Sequence, residues 1–211
     1  GRPALAVLPH REPAPHRAIY DLSMKSGIGR GDVSDVSGTM VYEWQDSCDG
    51  WSLTQRTAMR LLYSTGDELD LGWNLVSWES KDGTRYRFFV RKLENGELTE
   101  EFRGEARMDG NGGGGTAEYS LPEARTVKLP AGTLFPTQHT FALIKHIEED
   151  ESFFWATVFD GSDAEGLFNV SAVVANRVYQ KAILEILEGI KKGEKIAANM
   201  ERYPNLFTED I

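Results

Sequence analysis

Cysteine is nearly missing from this chain: Cys48 stands alone, so no disulfide can form within the 211 residues. No apolar run approaches the roughly 18 residues that a membrane-spanning helix requires. Cations are outnumbered, with 23 Lys and Arg against 33 Asp and Glu and a net charge of −10. That balance disfavours a protein that tracks a nucleic-acid backbone, which would carry a basic patch. Signs of chemistry are equally scarce. His139 and His146 fall on a predicted helix but are seven residues apart with no third ligand nearby, not the i, i+4 pair of a helical zinc site. Gly161-Ser162 lacks the G-x-S-x-G frame of a nucleophile elbow. The glycine-rich residues 27–32 (GIGRGD) lack the Lys-Ser/Thr ending of a phosphate loop. The acidic pairs and runs, Glu100-Glu101 and residues 148–151, read as solvated faces. No catalytic residue, cofactor or metal site is expected.

What the chain does have is alternation. Residues 37–64 (SGTMVYEWQDSCDGWSLTQRTAMRLLYS) hold two long period-two runs around a polar turn. Met40, Tyr42 and Trp44 share one face of the first run. Trp51, Leu53, Met59, Leu61 and Tyr63 share one face of the second, opposite Ser52, Thr54, Arg56 and Arg60. Successive side chains of a strand point to opposite faces, so this pattern predicts half-buried strands. Asp49-Gly50 between them predicts a hairpin turn with positive φ at the glycine. Further alternating runs follow, separated by Asp82-Gly83, Asn95-Gly96, the residues 109–115 loop (DGNGGGG) and Asp160-Gly161. Leu69, Leu71, Trp73 and Leu75 stay in phase, as do Tyr86, Phe88 and Val90, then Leu98, Phe102, Ala106 and Met108.

One segment breaks the period. Residues 137–149 predict a helix, with Thr137 as N-cap and Leu143, Ile144 and Ile147 as its buried stripe. After it, residues 152–160 return to strand, with Phe153, Trp155, Thr157 and Phe159 in phase, and residues 167–174 add another. From 179 to 203 the apolar spacing is helical again. The expected organisation is an extended, proline-rich lead-in over 1–15, a single β domain over 16–178 and a helical tail over 179–211. The fold class is mainly β: an antiparallel meander curled into a β-spiral or open barrel, with one internal helix and a helical C-terminal tail.

Two faces of that sheet are candidates for function. Tyr42, Trp44, Trp51, Met59, Trp73, Phe88 and Phe102 form an aromatic-rich inner face. It reads either as the core of a filled barrel or as an apolar cleft for an acyl chain or peptide. On the outer face Arg56, Arg60, Arg85, Arg87, Arg91, Arg103 and Arg107 stand among Glu101 and Glu105. They read as cross-strand ion pairs or as a surface for anionic lipid or glycan. The segment Ala4-Leu5-Ala6 carries the small-residue pattern of a signal-peptide cleavage site, although a trimmed cytosolic chain could open the same way.

Several stretches together resemble one family. HRAIYDLSM (residues 16–24), CDGW (48–51), SKDGTRYRF (80–88), LPAGTLFPTQH (129–139) and VFDGSD (158–163) are similar, in order, to the cell-envelope integrity protein B family. The resemblance implies a periplasmic protein of Gram-negative cells, folded as a β-spiral similar to the periplasmic lipoprotein carriers. It implies a role in envelope maintenance without catalysis or cofactor, by binding a protein partner or a lipid or other apolar ligand. A scaffold with a filled barrel and, last, an envelope-acting hydrolase are the alternatives. It also implies a disulfide from the cysteine matching Cys48 to one near the C-terminus, a partner that these 211 residues do not contain.

Overall fold

The computed structural model describes residues 14–24, 32–110, 113–149, 151, 153–173, 185 and 202. Most of the expected lead-in and helical tail lies outside them. The alternating runs become β1 (His16–Ser23), β2 (Val33–Asp46), β3 (Gly50–Tyr63), β4 (Glu68–Ser80), β5 (Arg85–Glu94), β6 (Glu97–Met108), β7 (Gly115–Leu121) and β8 (Arg125–Leu129). These eight form one antiparallel sheet in strict chain order, a meander that is not closed. Helix α1 (Pro136–Glu148) follows, and then β9 (Phe153–Phe159) and β10 (Leu167–Val173) pair as a second, two-stranded sheet.

The described residues fall into two compact units. One draws on Gly1–Lys145 and Trp155–Val170, the other on His146–Phe154 and Ser171–Ile211. In the second, His146 packs against the Phe154 ring at 4.5 Å and pairs with Glu151 at 3.1 Å. The first unit holds the large sheet and its core.

The β2–β3 hairpin keeps the predicted register, with Trp44 opposite Leu53 and Asp46 opposite Trp51. Its turn differs from the expectation. The positive φ belongs to Cys48 (66°), not to Gly50, and the Asp46 carboxylate accepts the Cys48 N–H at 3.0 Å. Gly50 has another reason to be glycine: a Cβ there would meet the Trp78 ring at 2.4 Å and the Glu79 carbonyl at 2.5 Å. Because a left-handed backbone costs an L-residue about 1–2 kcal/mol, Cys48→Gly should leave the fold intact and raise its stability by up to about 1 kcal/mol. A lowered urea midpoint for that variant would contradict this account of the turn.

Register carries one parity of β2–β8 to the inner face. Trp44, Trp51, Leu53, Leu75, Tyr86, Phe88, Val90, Phe102, Ala106, Ala117, Tyr119 and Leu129 form one buried cluster with Phe135 and Phe159. Residues from β2 and β8 meet in that cluster, which requires the sheet to curl around it. Tyr86 stacks on Phe135 at 5.1 Å, and Phe88 meets Tyr119 and Phe159 edge-on at 5.1 and 5.6 Å. Such ring pairs contribute beyond their buried area.

The loop after β9 closes the cluster. Asp160 Oδ1 accepts the Ser162 N–H and Asp163 Oδ1 the Glu165 N–H, both at 2.8 Å. The hydroxyls of Tyr86 and Tyr119 donate to the carbonyls of Asp160 and Asp163, at 3.2 and 3.0 Å. Two buried phenols are thus satisfied by one loop, and burial raises the pKa of both, that of Tyr119 to about 12.

In β9 the inward parity differs from the sequence expectation. Phe154, Ala156 and Val158 are buried, whereas Phe153 and Trp155 are exposed; only Phe159 of the expected set is buried. A short apolar run such as FFWATVF has hydrophobic residues in both parities, so alternation cannot choose its face.

Candidate functional site

The inner face is filled at one end and open at another. Towards β5–β8 it is packed by Tyr86, Phe88, Phe102, Tyr119, Phe135 and Phe159, all at most 6% exposed. Over β2–β4 it stops short, leaving a cleft of about 350 Å³ beneath the first turns of α1. Its floor is Tyr42, Trp44, Leu53, Gln55, Trp73 and Leu75. Its walls are Pro136, Thr137, His139, Thr140 and Phe141 of the helix, with Val158, Asp160 and Val170, and His16 stands at β1. No Lys or Arg is among these lining residues. A second cavity of about 660 Å³ continues down the strands at Thr57, Met59, Leu71, Trp73 and Lys92. Trp73 lines both.

Local sequence explains the cleft. Trp44 and Trp51 fall on adjacent strands at the hairpin end and stack at 4.4 Å; Phe141 meets them edge-on at 6.3 and 5.7 Å. This aromatic block sets the height at which α1 rides above the sheet. Farther along β3 the inner positions change to Gln55 and Thr57, whose shorter side chains cannot fill the space under the helix. The Gln55 amide donates to Met40 Sδ at 3.2 Å and to Thr57 Oγ1 at 3.4 Å, an arrangement held within the sheet. His16 stacks on Tyr42 at 5.6 Å.

Of the seven inner-face residues singled out from sequence, Tyr42, Trp44 and Trp73 line the cleft and Met59 lines the second cavity. Trp51 backs Trp44 from behind, and Phe88 and Phe102 belong to the filled core. Cys48 is exposed and unbonded in its turn. It should therefore react fully with a thiol reagent in the native 211-residue protein; protection until denaturation would contradict the exposed turn.

Burial shifts the titratable groups of the cleft towards their neutral forms. Burial raises the Tyr42 phenol and the Asp160 carboxyl above their ordinary values and lowers His139, each shift favouring the neutral form. Among the described residues, no three His, Cys, Asp or Glu side chains converge as a metal set would.

One residue that seats the helix over the cleft was not legible in the sequence. Glu79, only 2% exposed, sends its carboxylate to the start of α1, where Oε2 and Oε1 accept the N–H groups of Thr137 and Gln138 at 2.7 and 2.9 Å. The helix begins at Pro136, and its cap is Glu79 rather than Thr137. The first N–H groups of a helix have no partner within it, and here a strand 58 residues earlier supplies the acceptor. Burial raises the Glu79 carboxyl to about 7 against the pull of those two hydrogen bonds. Glu79 shares the parity of the inner-face residues Trp73 and Leu75, but what it meets there is decided by the fold.

The stretches singled out by resemblance gather around this cap. The Ser80 hydroxyl and the Thr84 N–H donate to Asp82 Oδ1 at 2.6 and 3.0 Å, holding its carboxyl down to about 2. The Lys81 N–H donates to the Asp49 carbonyl at 3.1 Å, its ammonium reaches Asp46 at 2.7 Å and lies 4.2 Å from the Trp51 ring centre. The Gln138 amide donates to the Lys81 carbonyl at 3.3 Å. CDGW, SKDGTRYRF and LPAGTLFPTQH thus form one junction that seats the helix above the sheet.

An open antiparallel meander, part filled and part hollow beneath helix α1, defines a barrel-like β protein with an apolar cleft. The chain belongs to the EipB-like family, whose sequence model matches residues 10–203. It is 32% identical over 165 residues to the cell envelope integrity protein EipB of Brucella abortus (strain 2308), a match covering 77% of this chain and 58% of that protein. The chain therefore spans little more than half the length of that curated relative. A crystal structure of a beta-barrel-like protein from Brucella abortus, of a domain of unknown function, superposes with a TM-score of 0.67 at 32% identity. That match covers 74% of this chain and 65% of the other. Among the described residues, no helix is long and apolar enough to cross a membrane, which says nothing about crossing by strands.

Proposed function

We propose that this protein supports the integrity of the cell envelope from the periplasm, without catalysis, by holding an apolar ligand such as an acyl chain in the cleft over β2–β4. The observation that carries the reading is the cleft itself, about 350 Å³, within the range of small-molecule sites and lined by aromatic and aliphatic side chains with a few polar groups. The relationship to an envelope-integrity protein supplies the context. A scaffold that acts only through protein contacts is the second reading, favoured by the filled half of the inner face. A disulfide from Cys48 belongs to the proposal only with a cysteine outside these 211 residues.

Native mass spectrometry of protein purified without detergent tests the choice. An adduct of acyl mass is expected, released on denaturation and restored by a fatty acid. Leu75→Trp should occupy the cleft and abolish the adduct while circular dichroism stays unchanged, at a stability cost of about 1–3 kcal/mol. A bare protein mass in every preparation, with no fatty-acid uptake, would leave the scaffold reading.

A further inference from the structure

The outer face of the sheet carries a feature that the cleft does not use. Across β3–β6, three successive cross-strand rows are set by register: Ser52, Trp78, Arg87, Glu105; then Thr54, Val76, Phe89, Arg103; then Arg56, Asn74, Arg91, Glu101; at the hairpin end Gly50 lies opposite Ser80 and Arg85 opposite Arg107. Six arginines stand there against two glutamates, in a chain whose net charge is −10. At the centre lie Val76, half exposed, with Trp78 and Phe89. These three residues floor a shallow groove of about 740 Å³ together with Arg87 and Arg103, and Glu105 and Glu118 also line it.

The arginines are held in place by stacking. The Arg103 and Arg91 guanidiniums lie 4.4 and 5.9 Å from the Phe89 ring centre, and those of Arg87 and Arg85 lie 5.4 and 5.6 Å from that of Trp78. A guanidinium fixed by its face keeps its N–H edges for an anion. The carboxylates neutralise only part of the patch: Glu105 lies 3.8 Å from Arg87 and 2.9 Å from Arg107, and Glu101 lies 3.1 Å from Arg91. We propose that this face docks onto an anionic phospholipid surface, with Val76, Trp78 and Phe89 at headgroup level and the arginines on the phosphates. Three strand spacings and six residues of rise make the patch about 14 by 20 Å, room for several headgroups rather than one soluble anion. Aromatic side chains suit the membrane–water interface, and surface arginines are attracted to anionic leaflets. In a chain of net negative charge, charge complementarity favours this arginine-rich face.

Flotation of the full chain with vesicles tests the proposal. It should bind vesicles of phosphatidylglycerol and phosphatidylcholine in equal parts, not phosphatidylcholine alone, and lose binding as salt rises. Arg87→Glu with Arg103→Glu should weaken binding at least about tenfold. Val76→Asp, which changes only a half-exposed side chain, should weaken it too and decides the matter if the double variant misfolds. None of these changes should alter the acyl adduct, so failure here is separable from failure of the cleft. Equal binding to both vesicle types, no binding to either, or full binding by the Val76→Asp variant would overturn it. Retention by heparin without flotation would assign the patch to a soluble anionic polymer and equally overturn it.

Discussion

Phe88→Ala should destabilise the protein by about 3–5 kcal/mol, the largest single-residue effect in the core. Phe88 is 3% exposed on the inner face of β5, and its ring touches those of Tyr86, Tyr119 and Phe159. Removing it deletes the centre of a four-ring cluster that cannot close up, because Tyr86 and Tyr119 are tied by their hydroxyls to the loop after β9. The loop is fitted to that ring. Gly161 has φ of +70°, and a Cβ there would stand 2.4 Å from the Phe88 ring. Gly161→Ala should therefore also destabilise, by backbone strain and by displacing Phe88, and combining it with Phe88→Ala should cost less than the sum of the two. Urea denaturation of the three variants measures this. A fall below 1 kcal/mol for Phe88→Ala would show a loosely packed inner face. On the outer face Val76→Ala, half exposed, serves as the control and should shift stability by no more than about 0.5 kcal/mol.

Glu79 should make stability fall as pH rises from 5 to 8. Its carboxyl titrates near 4.5 when unfolded and at about 7 when buried in the native chain. Between those values the native state keeps a proton that the unfolded state has released, so unfolding releases a proton and higher pH favours it. The penalty is absent below pH 4.5 and complete above 7, on the order of 3 kcal/mol at about 1.4 kcal/mol per unit. Asp160, also raised by burial, acts in the same direction above its ordinary value of 3.8, whereas partly buried His139, lowered, works against it below its ordinary value of 6.5. Glu79→Gln isolates the contribution of Glu79: its urea midpoint should vary less between pH 5 and 8 than the parent's. Equal slopes would contradict the assignment. Glu79→Ala does something different. It strands the N–H groups of Thr137 and Gln138, at about 1–3 kcal/mol for each buried donor left unpaired, and frees the helix that roofs the cleft.

The strands were legible because both sheet faces follow one period. From β2 to β5 the alternation of Trp, Leu, Tyr and Phe with Arg, Glu, Thr and Ser named the inner face correctly, and in β6 it did so for Phe102, Ala106 and Met108 but not for Leu98, which is 47% exposed and lies past a bulge opposite Leu93. It held because each of those strands has one buried and one solvated side. It failed at β9, where both parities are hydrophobic, and at the Cys48 turn, where the left-handed residue is the one before Asp-Gly. The candidate site was legible in composition only. Tyr42, Trp44 and Trp73 share their parity with Phe88 and Phe102, and nothing in the pattern divides cleft from core.

The sequence by itself therefore determined the meander, its inner aromatic face and its arginine-rich outer one, since period two is a local property of the backbone. Only the tertiary structure decided which part of the inner face is filled. The aromatic block of Trp44, Trp51 and Phe141, the Glu79 cap and the loop after β9 all join residues far apart in the chain. Packing against such partners depends on distances that no local period encodes.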